Sequence, residues 1–235
     1  MVVRVLKGDK MKDKIILVDI KHIRWAIEIE VEFPHSKDSQ KLIDRHRVLD
    51  GWEIDYDGSL TNGAEYRPKN SNHLYWNEES LTQLQEILAL IKVHKGHIGK
   101  SCGLHCHVDA KKFTDKQILV IIKEFIRKQK YIVKKFNVHP DRLEDTCKLL
   151  PRDGLSKLTE KQIHNFRKQA SDWSYDGYNG LLDEKYNALN ISHLRSGDYS
   201  TLEFRLFDST LSYKKLKTQI EWVLNFIKDS LEREE

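Results

Sequence analysis

Between residues 23 and 33 the chain alternates apolar and charged positions, with Ile27, Ile29, Val31 and Phe33 set against Glu28, Glu30 and Glu32. A period of two marks a strand with one dry and one wet face, so residues 23–33 are predicted as a strand. Residues 15–20, rich in Ile and Val, read as a strand before it. A helix is expected over residues 39–49, closed at Gly51. Residues 52–56 and 64–67 flank the turn Asp57-Gly58-Ser59 in a hairpin-like arrangement. After Asn77, Leu81, Leu84, Leu88 and Ile91 recur at helical spacing, and Gly96 is expected to end that helix. Residues 104–108 form a short predicted strand. Thr114-Asp115-Lys116-Gln117 carries a capping-box signature that opens a long helix towards Phe136, and Thr159-Glu160-Lys161-Gln162 repeats it before a shorter one. A polar, aromatic loop follows over residues 171–180. Strands over residues 186–193 and 201–208, then a helix from Tyr213 towards Leu231, complete the pattern.

This order predicts an α+β fold, an antiparallel sheet covered by helices. No repeat, low-complexity tract or Gly/Ser linker interrupts the chain, so residues 1–235 are read as one domain. Neither common glycine-rich phosphate loop is present.

Composition narrows the partners. Of 235 residues, 39% are hydrophobic and 32% charged, an ordinary soluble balance. The 40 Lys and Arg are nearly offset by 36 Asp and Glu, leaving a net charge of +4 and no isolated basic block, so no nucleic-acid partner is expected. The basic run at residues 128–135 lies within an apolar helical pattern and reads as the wet face of a helix. The longest apolar run near the N-terminus, residues 15–18, is too short for a signal peptide or a membrane span. A cytoplasmic location without a membrane partner is the expectation. Cys102, Cys106 and Cys147 show no secreted-type framework and read as reduced thiols.

The chemistry gathers on alternating positions. On a strand, Glu28, Glu30 and Glu32 share a face at roughly 7 Å intervals. They repel one another unless a cation lies over them, and hard divalent ions prefer oxygen ligands. His105 and His107 share a face of their own strand, as do Glu203 and Arg205, and Glu65 follows the turn. If these strands belong to one sheet, a single face collects at least three Glu, two His and an Arg. Carboxylates that hold Mg²⁺, with an Arg for phosphate charge and no activated Ser or Cys, suit phosphoryl transfer. Sheet-face carboxylates are expected to add little to the core.

The ordered segments Ala26-Ile27-Glu28-Ile29-Glu30, Asp57-Gly58-Ser59-Leu60 with Gly63-Ala64-Glu65, Cys102-Gly103-Leu104-His105-Cys106-His107 and Thr201-Leu202-Glu203-Phe204-Arg205 resemble the amidoligase family, within the glutamine synthetase and glutamate–cysteine ligase superfamily. Asp141-Arg142-Leu143 with Cys147, and Tyr186-Asn187-Ala188-Leu189-Asn190, resemble its intermediate motifs. The match runs from about Trp25 to Leu211. The resemblance implies a glutamine-synthetase-like curved antiparallel sheet with helices on one face, holding Mg²⁺ or Mn²⁺ ions. It also implies that ATP phosphorylates a substrate carboxylate, small-molecule or peptide, and that an amine attacks the acyl phosphate. Glu28, Glu30, Glu65 and Glu203 match the metal-ligand positions. His105 or His107 would contact metal or nucleotide phosphate, and Arg205 would bind phosphate. Arg142 is a second catalytic candidate, holding phosphate or carboxylate. Glu32 reads as a solvated neighbour. A homo-oligomer is also open, since relatives of glutamine synthetase often build sites between subunits. Two departures are Ala26, where the family has Gly, and Arg67-Pro68, where Ser-Pro is expected.

Three rivals stay open. A zinc site could use Cys102, His105, Cys106 and His107, but Cys106 would face away from the two histidines on a strand. A metal-dependent hydrolase or nuclease could use the same His and Glu groups. An interaction module could keep the fold without activity; the aromatic loop with Trp173, Tyr175 and Tyr178 could serve as a partner surface or, in an enzyme, as a substrate lid.

Overall fold

The computed structural model describes residues 19–34, 49–60, 62–69, 73–151, 158–168, 186–195 and 200–233. The strand expected from Ile15, nearly all of the helix expected over residues 39–49, and the aromatic loop over residues 171–180 lie outside the described residues. Ile20, expected to end that strand, instead opens a 3-10 turn, Ile20–His22.

Among the described residues, six strands form one antiparallel sheet. They are β1 (Trp25–Glu32), β2 (Trp52–Asp57), β3 (Gly63–Pro68), β4 (Gly103–Asp109), β5 (Leu189–Asn190) and β6 (Thr201–Asp208). Their order is β2-β3-β1-β4-β6-β5, so the alternating strand β1 is central, between β3 and β4. Five α-helices accompany them: α1 (Glu78–Val93), α2 (Asp115–Phe136), α3 (Pro140–Asp145), α4 (Glu160–Lys168) and α5 (Tyr213–Leu231).

The dry face of the sheet is built as the pattern predicts. Ile27, Ile29 and Val31 of β1, Leu104, Cys106 and Val108 of β4, and Leu202 and Phe204 of β6 are wholly buried. Helices α1, α2 and α5 cover that face. Phe125 of α2 and Phe226 of α5 meet Phe204 edge-on, and Phe136 of α2 and Trp222 of α5 meet Phe207 in the same way. Helix α1 adds Leu84, Ile87, Leu88 and Ile91 to the same core. Both capping boxes form: Thr114 and Gln117 bond reciprocally at the start of α2, and Thr159 and Gln162 at the start of α4. Each bond satisfies an amide that the first helical turn leaves open.

Three local expectations are revised. The left-handed residue at the end of α1 is Lys95, with φ +62°, and Gly96 is there for space: a Cβ would lie 2.7 Å from Ile91. The strand expected over residues 186–193 is reduced to β5, because the Asn190 side chain accepts from the Ser192 amide and turns the chain into the 3-10 segment Ser192–Arg195. Helix α3 was not anticipated, although its start is legible as Pro140 in the first turn after a His139 N-cap.

The ladder between β4 and β6 changes register at one point. Cys106 pairs with Phe204 and Leu104 with Phe207, so Arg205 and Leu206 together oppose His105. This β-bulge resets the alternation along β6. Phe204 and Phe207 both face the helices, while Glu203, Arg205 and Asp208 belong to the opposite face. No helix among the described residues is long and apolar enough to cross a membrane.

Candidate functional site

The pairing brings the alternating polar residues of four strands onto the face opposite the helices. Glu28 pairs with His105, Glu30 with Glu65, and His107 with Glu203. The face predicted from separate periodicities is therefore one continuous surface.

His105 stands at its centre. Its Nδ1 is 2.9 Å from Glu28 Oε2 and 3.3 Å from Glu203 Oε1, and its Nε2 is 3.1 Å from Glu30 Oε1. His107 Nε2 lies 3.1 Å from Glu28 Oε1 and 4.0 Å from Glu203 Oε1, with Nδ1 3.2 Å from the Thr201 hydroxyl. One ligand atom each from Glu28, His107 and Glu203 falls within 4.8 Å of the others. Arg205 Nη1 donates to Glu203 Oε1, and Asn190 Nδ2 donates to Glu203 Oε2 at 2.6 Å.

The remaining predicted residues lie around this centre. Glu65 is 3.5 Å from Arg67, whose guanidinium also pairs with Asp55 and with Glu53 at 3.0 Å. Arg67, the departure noted in the sequence, thus supplies a cation between three carboxylates. The Gly103 amide donates to Glu30. Glu32 accepts from Ser101 Oγ at 3.2 Å and lies 3.7 Å from His97. Arg142 approaches the face from α3 and is almost wholly buried.

Sequence reasoning missed His193 as a neighbour of the site. Its Nε2 lies 3.4 Å from Glu203 Oε2, and its ring centroid lies 5.7 Å from that of His107. No spacing announces it, because the 3-10 turn after β5 delivers it. Asn190 was within reach of the sequence, at the end of a recognised motif.

Electrostatics show what the cluster wants. Burial would raise the Glu203 carboxyl, but Arg205 and His107 beside it hold it below the ordinary range. Glu28 is likewise held well below, because its two histidines outweigh burial. Burial would lower His107, yet Glu28 and Glu203 push it up to about 9. Glu65 also rises to about 9, through burial and then repulsion from Glu28, against the pull of Arg67. Carboxylates here therefore outnumber the cations that can serve them.

A divalent cation fits this donor set. The buried Nε2 atoms of His105 and His107 lie against Glu30 and Glu28 without the alignment of a hydrogen bond. Crowded carboxylate oxygens with one or two imidazole nitrogens suit Mg²⁺ or, with more nitrogen character, Mn²⁺. Cys106 does not share in it: it is wholly buried on the helix side, where burial raises its thiol. The three adjacent ligand-type residues His105, Cys106 and His107 therefore do not converge.

Fold and site together define a carboxylate- and histidine-lined face on an antiparallel sheet backed by helices. The chain belongs to the family described as "Putative amidoligase enzyme", whose model matches residues 18–227 and so spans every strand of that face. That description is of a ligase-type enzyme. No curated protein matches the chain.

Proposed function

We propose that the protein is an ATP-dependent carboxylate–amine ligase working on a multi-metal site. The observation that carries this reading is the convergence of Glu28, His107 and Glu203 within 4.8 Å, with Arg205 paired to the last of them. Glu28, His107 and Glu203 would hold a divalent ion, with Glu30 and Glu65 as flanking oxygen ligands. Bound metal and ATP would supply the activation: the γ-phosphoryl passes to the substrate carboxylate with loss of ADP, and an amine then displaces phosphate to leave an amide. Arg205 would offer its guanidinium to the transferring phosphoryl charge, a role that a planar, always-charged donor suits. Its Nη1 lies 3.4 Å from His105 Nδ1, so His105 and Arg205 would orient the same phosphate.

Calorimetric titration with ATP tests the reading, with and without Mg²⁺, on the parent and on Glu28→Gln. Nucleotide binding that requires Mg²⁺ and is lost in Glu28→Gln supports it, and turnover should then require both an acid and an amine. Nucleotide binding indifferent to Mg²⁺, or none, overturns it in favour of a metal-dependent hydrolase or an inactive module.

A further inference from the structure

We infer that Arg142 is a positioning residue, which holds Glu30 and the β6 bulge that presents Arg205, and that it does not itself bind phosphate or carboxylate substrate. The inference rests on the proposed roles of Glu30 and Arg205.

A guanidinium stays charged when buried and must find its partners inside the protein. Arg142 is 1% exposed. Its Nη1 donates to the Ser101 carbonyl at 2.7 Å and its Nη2 to the Arg205 carbonyl at 3.0 Å. Its Nε lies 3.5 Å from Asp208 Oδ1, and Nη1 lies 3.9 Å from Glu30 Oε2. Both Nη atoms thus donate to protein carbonyls, while Nε approaches Asp208 as an ion pair without a hydrogen bond. The fork joins the segment leading into β4, the end of β6 and the central strand β1.

Two of these contacts reach proposed site groups. The Arg205 carbonyl sits within the β6 bulge, where the ladder is locally disrupted and a side-chain donor can steady the backbone. The Glu30 contact is shared with Gly103, whose amide donates to the same Oε2. Gly103 also makes room for the fork: a Cβ there would lie 2.8 Å from Arg142 Cζ and closer still to both Nη atoms. Glycine at 103 and arginine at 142 are therefore one device. The anchor of α3 completes it, since the His139 amide donates to both oxygens of Asp208 at 3.2 and 3.1 Å.

The test uses Arg142→Lys, which keeps the charge but loses the fork, and Gly103→Ala, which pushes the fork away from the other side. Two quantities are read: hydrogen exchange of the residue-103 amide by NMR, and Mn²⁺ affinity without nucleotide by electron paramagnetic resonance. Both variants should exchange that amide about 10-fold faster, while α5 stays protected as in the parent. Both should also weaken Mn²⁺ by about 10-fold, the usual cost of losing a group that orients a ligand. Unchanged exchange and Mn²⁺ affinity in either folded variant overturn the inference. A loss confined to ATP affinity overturns it too, because that is the signature of a direct phosphate contact. A parent that binds no Mn²⁺ defeats the ligase reading instead, and amide exchange then decides the role of Arg142 alone.

Discussion

Thr201 holds one nitrogen of His107 while Glu28 faces the other: Nδ1 is 3.2 Å from the Thr201 hydroxyl and Nε2 is 3.1 Å from Glu28. With the hydroxyl accepting, Nδ1–H donates and Nε2 is left facing the carboxylate cluster, where a cation that displaces its proton would take its lone pair. Thr201→Val keeps the side-chain shape but removes that acceptor. Mn²⁺ affinity measured without nucleotide should fall by about 10-fold. An unchanged affinity would mean that the ring is oriented by something else.

Glu203 carries more stability than a sheet-face carboxylate was expected to contribute. It is 1% exposed and serves Arg205, Asn190 and His193. Glu203→Ala removes a buried carboxylate and leaves the half-buried Arg205 charge without its nearest partner, and should cost about 3 kcal/mol in urea unfolding. Glu28→Gln, at a position partly open to solvent, should cost less than half as much. Equal losses would show that the burial of Glu203 is not what matters.

Acid should loosen α4 before it unfolds the core. Asp115 accepts from Arg167 and from His164, each at 2.8 Å, and these bonds outweigh partial burial and lower its pKa. A carboxylate lowered on folding stabilises the fold above its unfolded value of about 3.9, and that stability is lost as pH falls through the folded value. Amide exchange over residues 160–168 should rise relative to α5 below about pH 4. In Arg167→Met the same segment should exchange faster already at pH 7, with a smaller further change in acid.

The cysteines should be inert in the native protein. Burial pushes Cys102 up to about 12 and raises Cys106 and Cys147 as well, so little thiolate exists near neutrality. Iodoacetamide at pH 7.5 should label none of the three within an hour, and all three in guanidinium. Rapid native labelling of Cys106 would contradict its place behind the sheet.

Much of this was legible because it is local. Alternation gave the dry and wet faces of β1, β4 and β6, and the two capping boxes placed the starts of α2 and α4. What stayed hidden needs a partner strand to define it. That Glu30 neighbours Glu65 depends on strand order, and the β6 bulge appears only when its residues are counted against those of β4. His193 and Arg142 reach the site from outside the sheet, by a 3-10 turn and a short helix, so no periodicity links them to it. The burial of Glu203 and Glu30 follows from the groups that close over them, which the alternation of β1 and β6 does not contain.

The β6 bulge acts as a frame shift in three dimensions. Upstream of it, odd-numbered residues look towards the chemistry; downstream, even-numbered ones do. Inserting one residue after Leu206 would leave Glu203 where it is but turn the rest of the strand over, putting Phe207 on the site face and the Asp208 carboxylate on the helix face, whereas deleting Leu206 would only restore the regular ladder, with Phe207 still opposite Leu104. The strand therefore tolerates loss of the bulge's extra residue better than a further addition, and a segment grafted from a relative keeps its reading frame either with the bulge intact or with one residue fewer between Arg205 and Phe207.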